Sequence, residues 1–217
     1  AASAGAAPIR ANADTAGLKF TFGHTMPFGE QYYVEMQRIL NLIRRNQIRL
    51  VGDLTDRMAD TIKKGGNVWM QANGGHMGRF ENDENLPGHS GILRSSPSFS
   101  EDEYARVKAG DVFVTNSVNE NVRALRDRGV YVVGIPVNYI DNEWTPEGFV
   151  HPNVNNWKLG DVSSVILRSY IPYTQGVVEV PQIPEMKVMP CSANALYMIY
   201  WAIQAEVADK YKNSKRP

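Results

Sequence analysis

The chain is poor in the groups that announce disulfide, metal, nucleic-acid or membrane chemistry. It has one cysteine, Cys191, so no intramolecular disulfide can form. That residue stands where an apolar helix begins, and it reads as a small buried hydrophobe rather than a nucleophile. Histidine is scarce, and His24, His89 and His151 lie far apart in the sequence without ligand spacing, so no metal is expected. Charge of one sign is missing as well: 23 basic and 23 acidic residues leave a net charge of zero. The single basic cluster, Lys210 to Arg216, reads as a solvated end, and nucleic acid is not an expected partner. The longest strongly apolar run, Ala195 to Ile203, is too short to cross a bilayer, so no membrane is expected either.

What is present is ordinary globular material. The 217 residues, 43% apolar and 21% charged, suit one α/β domain. A chain of this length buries roughly 70% of its unfolded surface and needs no staples. Residues 1–16, rich in alanine and without periodicity, read as a disordered arm, which leaves 17–217 as a single domain. Small residues of this kind also occur around signal-peptide cleavage sites. A cytoplasmic protein and an exported mature form therefore both remain open.

After Pro27 the pattern becomes helical. Phe28, Tyr32, Met36, Ile39, Leu40 and Ile43 form one apolar stripe. Ile48, Leu50, Val51, Leu54, Met58 and Ile62 form a second, which Gly65 and Gly66 stop. Two helices are thus expected before any strand. Short apolar runs then read as buried strands at 67–72, 111–115, 130–137 and 161–167, with a fifth at 177–180. Helices are expected near 118–128 and from Ser192 to Tyr211. The alternation predicts a doubly wound, mostly parallel five-stranded sheet flanked by helices. Two long stretches, 79–98 and 139–157, read as irregular loops.

Ligands of such sheets bind beyond the carboxyl ends of the strands. Three loops are expected there. Asn73, Gly74, Gly75, His76 and Met77 follow the first strand; the glycines allow close backbone approach, and His76 is a candidate acid or base. No GKS or GKT follows, so this is not a Walker loop. Thr115, Asn116, Ser117, Asn119 and Asn121 follow the second strand and could contact sugar hydroxyls or phosphate oxygens. Helix capping accounts for one or two of them, not the whole cluster. Pro190, Cys191 and Ser192 open the last helix, where Ser192 is a natural cap and a lesser candidate for ligand contact.

The order of these motifs resembles the sugar isomerase (SIS) family, and within it the stand-alone SIS-domain proteins. That group carries G-H-S, S-N-S-G, H-P-S and P-T-S in sequence. The corresponding places here are Gly75-His76-Met77, Thr115-Asn116-Ser117-Val118, His151-Pro152-Asn153 and Pro190-Cys191-Ser192. The resemblance spans about Phe28 to Lys210. It implies a SIS-type fold and a small-molecule sugar or sugar phosphate as ligand. It also implies helix pairing into a homodimer or larger homo-oligomer. Met77 replaces a hydroxyl and Val118 a glycine, which weakens a phosphomonoester site and shifts the expectation toward a non-phosphorylated sugar or an altered phosphate pocket.

The implied reaction is sugar or sugar-phosphate isomerisation, or a related lyase step, by acid–base proton transfer. His76, Glu120, His151 and Glu179 are the candidates, and no spacing selects a pair among them. No cofactor is expected. The alternative is a sugar-binding or regulatory module without catalysis. Trp69, Trp144 and Trp157 are candidates for stacking on a sugar ring, although structural packing is the commoner role.

Overall fold

The computed structural model describes residues 27–71, 87–96, 99–137, 157–172 and 175–213. The expected arm, the Gly-Gly-His loop, His151 and Trp144 lie outside them. One helix, α1 (Phe28–Lys63), replaces the two expected. The reason is the stretch between the stripes: Arg44, Arg45, Asn46 and Gln47 contain no glycine or proline to break it. The buried stripe runs unbroken through Met36, Ile39, Ile43, Gln47, Val51, Leu54, Met58 and Ala59. Ile48, expected to face inward, is 56% exposed, and Gln47 at 7% takes its place. The Gln47 carboxamide bonds the Arg168 N–H at 3.0 Å and Tyr170 Oη at 3.3 Å, which makes its burial tolerable. Gly65, in the left-handed region at φ 84°, ends the helix.

The strands are β1 (Val68–Gln71), β2 (Arg94–Ser96), β3 (Val112–Thr115), β4 (Tyr131–Gly134) and β5 (Val165–Ile166). All pair in parallel in the order β2-β1-β3-β4-β5. Between and after them run α2 (Glu101–Arg106), α3 (Glu120–Asp127), α4 (Leu159–Val162) and α5 (Ser192–Asn213). Side chains alternate across the sheet. Val68, Met70, Val112, Val114 and Val133 pack with α1 and α5. Trp69, Phe113 and Val132 pack with Tyr104 of α2, Val122 and Leu125 of α3, and Leu159 and Val162 of α4. Helices therefore cover both faces, as a doubly wound α/β domain requires.

Two expected strands change character. Of 161–167, residues Asp161 and Val162 close α4, and only Val165–Ile166 pairs in the sheet. The segment at 177–180 does not join the sheet: it lies in β6 (Gly176–Val180), paired antiparallel with β7 (Ile183–Pro190). A two-residue turn at Pro181–Gln182 makes this hairpin the local solution. The remaining sheet strand is β2, in a stretch expected to be irregular. It is three residues long and sits at the sheet edge, where a strand needs little apolar pattern of its own.

At the amino end of the sheet sits Asp111, 2% exposed. It accepts hydrogen bonds from Asn67 N–H at 2.8 Å, Trp69 Nε1–H at 2.9 Å and Lys108 N–H at 3.0 Å. Three donors compensate the burial of one carboxylate, and they tie the start of β1 to the start of β3.

Candidate functional site

In this strand order the chain moves outward from β1 to β2 and then crosses back to β3. The direction reverses between β1 and β3, and the carboxyl ends of those strands frame the crevice expected to hold a ligand. A narrow cavity opens there, lined by Gln71 at the end of β1, Thr115 and Asn116 at the end of β3, Ile135 after β4, and Leu196 and Tyr200 of α5. No charged side chain is among its described lining.

Two polar networks border the cavity. The first joins the ends of β1 and β3 to α2. Thr115 Oγ1–H donates to Gln71 Oε1 at 3.0 Å, and Tyr104 Oη lies 3.2 Å from Gln71 Nε2 and 3.3 Å from Oε1. Thr115 Oγ1 also accepts the Ser117 N–H at 2.9 Å, which curls the chain sharply after β3. The sheet register creates this arrangement, because it places Gln71 directly beside Thr115.

The second network joins α5 to the segment before β2. His89 Nε2 lies 2.9 Å from Tyr200 Oη, and Gln204 Nε2 lies 2.7 Å from the same oxygen and 2.9 Å from His89 Nε2. Ser90 Oγ–H bonds Gln204 Oε1. On its other side, the imidazole accepts the N–H of Gly91 at Nδ1, 3.0 Å away. Gly91 is in the left-handed region at φ 66°, which glycine adopts freely. The His89 ring also packs edge-on against Trp201, with centroids 6.3 Å apart. Tyr200 and Gln204, one helical turn apart, thus hold His89 and Ser90 against the domain.

The expected site residues fall into distinct positions. Thr115, Asn116 and Ser117 are buried at the crevice, each at 5% exposure or less, and Thr115 and Asn116 line the cavity. Asn119 is the N-cap of α3, its side chain accepting the Val122 N–H at 2.9 Å, so capping accounts for its presence. Asn121 reaches sideways to Glu101 Oε1 at 3.4 Å. Glu120 is exposed in the first turn of α3 and does not line the cavity. Glu179 belongs to the hairpin rather than the sheet, and pairs with Lys187 at 3.0 Å on an exposed surface. Ser192 is the first residue of α5, and its hydroxyl donates to Gln175 Oε1. Asn73, Gly74, Gly75, His76, Met77 and His151 lie outside the described residues.

The described tryptophans are packed structurally. Trp69 is 7% exposed, bonds Asp111 and meets Phe99 edge-on at 6.0 Å. Trp157 lies under the Arg123 guanidinium, 5.7 Å from its ring centroid. Cys191 is fully buried, and burial pushes its thiol up to about 11. The small-hydrophobe reading accounts for that placement. Tyr32, which accepts from Asn194 at 2.7 Å, also has its phenol pushed up, chiefly by burial.

Gln71, Tyr104, His89, Tyr200 and Gln204 were not among the expected site residues. Only Gln71, at the end of a strand expected to meet the crevice, carried a signal that could have found it. Among the described residues no three His, Cys, Asp or Glu side chains converge to hold a metal, and no helix is long and apolar enough to cross a membrane. Compared with known proteins, the chain matches no family model, and no curated protein is significantly similar to it.

Proposed function

We propose that the chain is a SIS-type protein that isomerises a sugar or sugar phosphate by acid–base proton transfer in the crevice between β1 and β3. The observation that carries this reading is the meeting of hydroxyl and amide groups at the strand-order reversal: Gln71, Thr115, Asn116 and Tyr200 around one cavity. Neutral donors and acceptors of this kind match sugar hydroxyls, which both give and take hydrogen bonds. No described residue of the lining is charged, which supports a sugar oxygen over a bare phosphate at this position. Pairing through α1 and α5 into a homodimer belongs to the same reading. Phe28, Tyr33, Ile48 and Met198, between 42% and 69% exposed, are the apolar groups such pairing would cover.

A second reading, sugar binding without catalysis, is favoured by the placement of the two described carboxylate candidates. Glu120 and Glu179 both lie off the cavity lining. One experiment separates the two. The full chain is screened by thermal shift against neutral sugars, uronic acids and their phosphates, and hits are followed by proton NMR in heavy water. A ligand at a hundredfold excess over its dissociation constant raises apparent stability by about 2.7 kcal/mol. Isomerisation should exchange solvent deuterium into the carbon beside the carbonyl. A stabilising sugar that never exchanges leaves the binding reading; no stabilising sugar or sugar phosphate overturns both.

A further inference from the structure

Much of the wall of the cavity between β1 and β3 is carbon. Met70, Val114, Ile135, Leu196 and the Tyr200 ring all belong to the core between the sheet and the helices α1 and α5. The polar members of the lining already have partners within the protein. Gln71 and Thr115 are bonded to each other, Thr115 to the Ser117 N–H, and Gln71 to Tyr104, which packs on the opposite face of the sheet. The Tyr200 oxygen lies 2.9 Å from His89 Nε2 and 2.7 Å from Gln204 Nε2, and Asn116 is engaged as well. An oxygen that enters has two choices. It takes over an existing bond at the strand ends, or it lies against carbon and loses the hydrogen bonds it made to water. A carbon group that enters loses nothing of the kind and leaves every one of those bonds in place.

We propose that the apolar part of this cavity receives the methyl group of a terminally deoxygenated hexose, while the hydroxyls beside that methyl meet Thr115 and Asn116 at the end of β3. The methyl projects from the sugar ring, so it enters a narrow cavity that the ring itself cannot. A ring carbon without its hydroxyl is flanked by carbons that carry theirs and is never presented alone. An N-acetyl methyl arrives with an amide N–H and a carbonyl, and the described polar lining is already bonded. Met70, with its flexible thioether, adapts the wall to the methyl. A terminal carbon that is a methyl carries no phosphate, so any phosphate of this sugar is attached elsewhere. The proposal rests on the sugar reading and names the class of sugar.

The test measures calorimetric affinities of the full chain for matched pairs: glucose, galactose and mannose, each against its terminally deoxygenated counterpart of the same configuration, with N-acetyl hexosamines alongside. In at least one pair the deoxygenated sugar should bind about tenfold more tightly, the joint effect of burying a methyl and of not stripping a hydroxyl of its water. Val114→Thr keeps the shape of the side chain and puts a hydroxyl into the lining, so it should cut that preference about threefold or more. If Val114→Thr fails to fold, proton NMR of the parent supplies a second reading. The methyl of the bound deoxygenated sugar should show Overhauser contacts to the methyl groups of Ile135 and Leu196. Four results each overturn the methyl subsite and leave the sugar reading standing. They are a parent that binds the hexose at least as tightly in every pair, a folded Val114→Thr chain with the full preference, a bound methyl without contacts to Ile135 and Leu196, and affinity confined to sugars that lack this methyl. A parent that binds none of these sugars, nor any sugar or sugar phosphate of the thermal-shift panel, overturns the sugar reading and the subsite with it.

Discussion

The two ends of the sheet hold buried polar groups of opposite character. At the amino end a single carboxylate, Asp111, collects three N–H donors from Asn67, Trp69 and Lys108. All the donors are fixed by backbone or by a packed indole, and the knot has nothing to exchange with a ligand. At the carboxyl end the groups are neutral hydroxyls, amides and an imidazole, and they border a cavity. Hydroxyls and carboxamides can trade one partner for another at little cost, whereas a buried carboxylate stripped of its donors loses several kcal/mol. Burial and hydrogen bonding alone therefore do not mark a site; the capacity to change partners beside open space does.

The comparison is broken most directly at Asp111. Asp111→Ala should remove three hydrogen bonds and strand the Trp69 indole N–H, costing about 3–4 kcal/mol of stability in urea unfolding. Any sugar affinity of the molecules that remain folded should be unchanged, and a selective loss of affinity would erase the contrast between the ends. The next effect is set by Cys191, at the start of α5. Its folded pKa is raised, so between about pH 9 and 11 the native thiol keeps a proton that the unfolded one loses. The folded state binds more protons in that window, and stability falls as pH rises through it, by up to about 2 kcal/mol. Cys191→Ala should flatten this part of the pH profile; an unchanged slope would assign it to other groups.

At the carboxyl end, Thr115→Val keeps the shape and removes the hydroxyl that joins Gln71 to the Ser117 N–H. A stability loss of about 1–2 kcal/mol is expected, with ligand affinity weakened as well. Loss of stability without loss of affinity would make this network structural, like that of Asp111. The smallest effect belongs to Asn119. Asn119→Ala should cost about 1 kcal/mol through the lost cap of α3 and leave affinity intact.

Periodicity exposed the elements that bury a regular face. The strands β1, β3 and β4, the helix α3 and the terminal helix α5 all follow from apolar runs and stripes in the sequence. It misled where a polar residue continues an apolar face. Gln47 fills the stripe of α1 because Arg168 and Tyr170, far along the chain, supply its partners. It was silent at β2, three residues long, and it gave 177–180 to the sheet because a strand's pattern does not name its partner. The site was half legible for the same reason. Thr115, Asn116 and Ser117 stand together in sequence and can be read as a loop. His89 and Tyr200 are 111 positions apart, and only the packing of α5 over the end of the sheet unites them.

The fastening of α5 to α1 sets an order for folding on the ribosome. Lys210 bonds the Gly52 carbonyl, Thr55 Oγ1 and the Asp56 carboxylate, and 155 positions separate it from Thr55. Synthesis delivers α1 well before its covering helix. Until α5 emerges, Met36, Ile43, Leu54 and the rest of that stripe have only part of their native cover. The nascent chain is therefore most prone to self-association in the interval between emergence of the sheet and emergence of α5, when α1 and the sheet exist but their lid does not. Slowing synthesis just before residue 192 should lengthen that exposed interval, and a chaperone that shields apolar helices should matter most there.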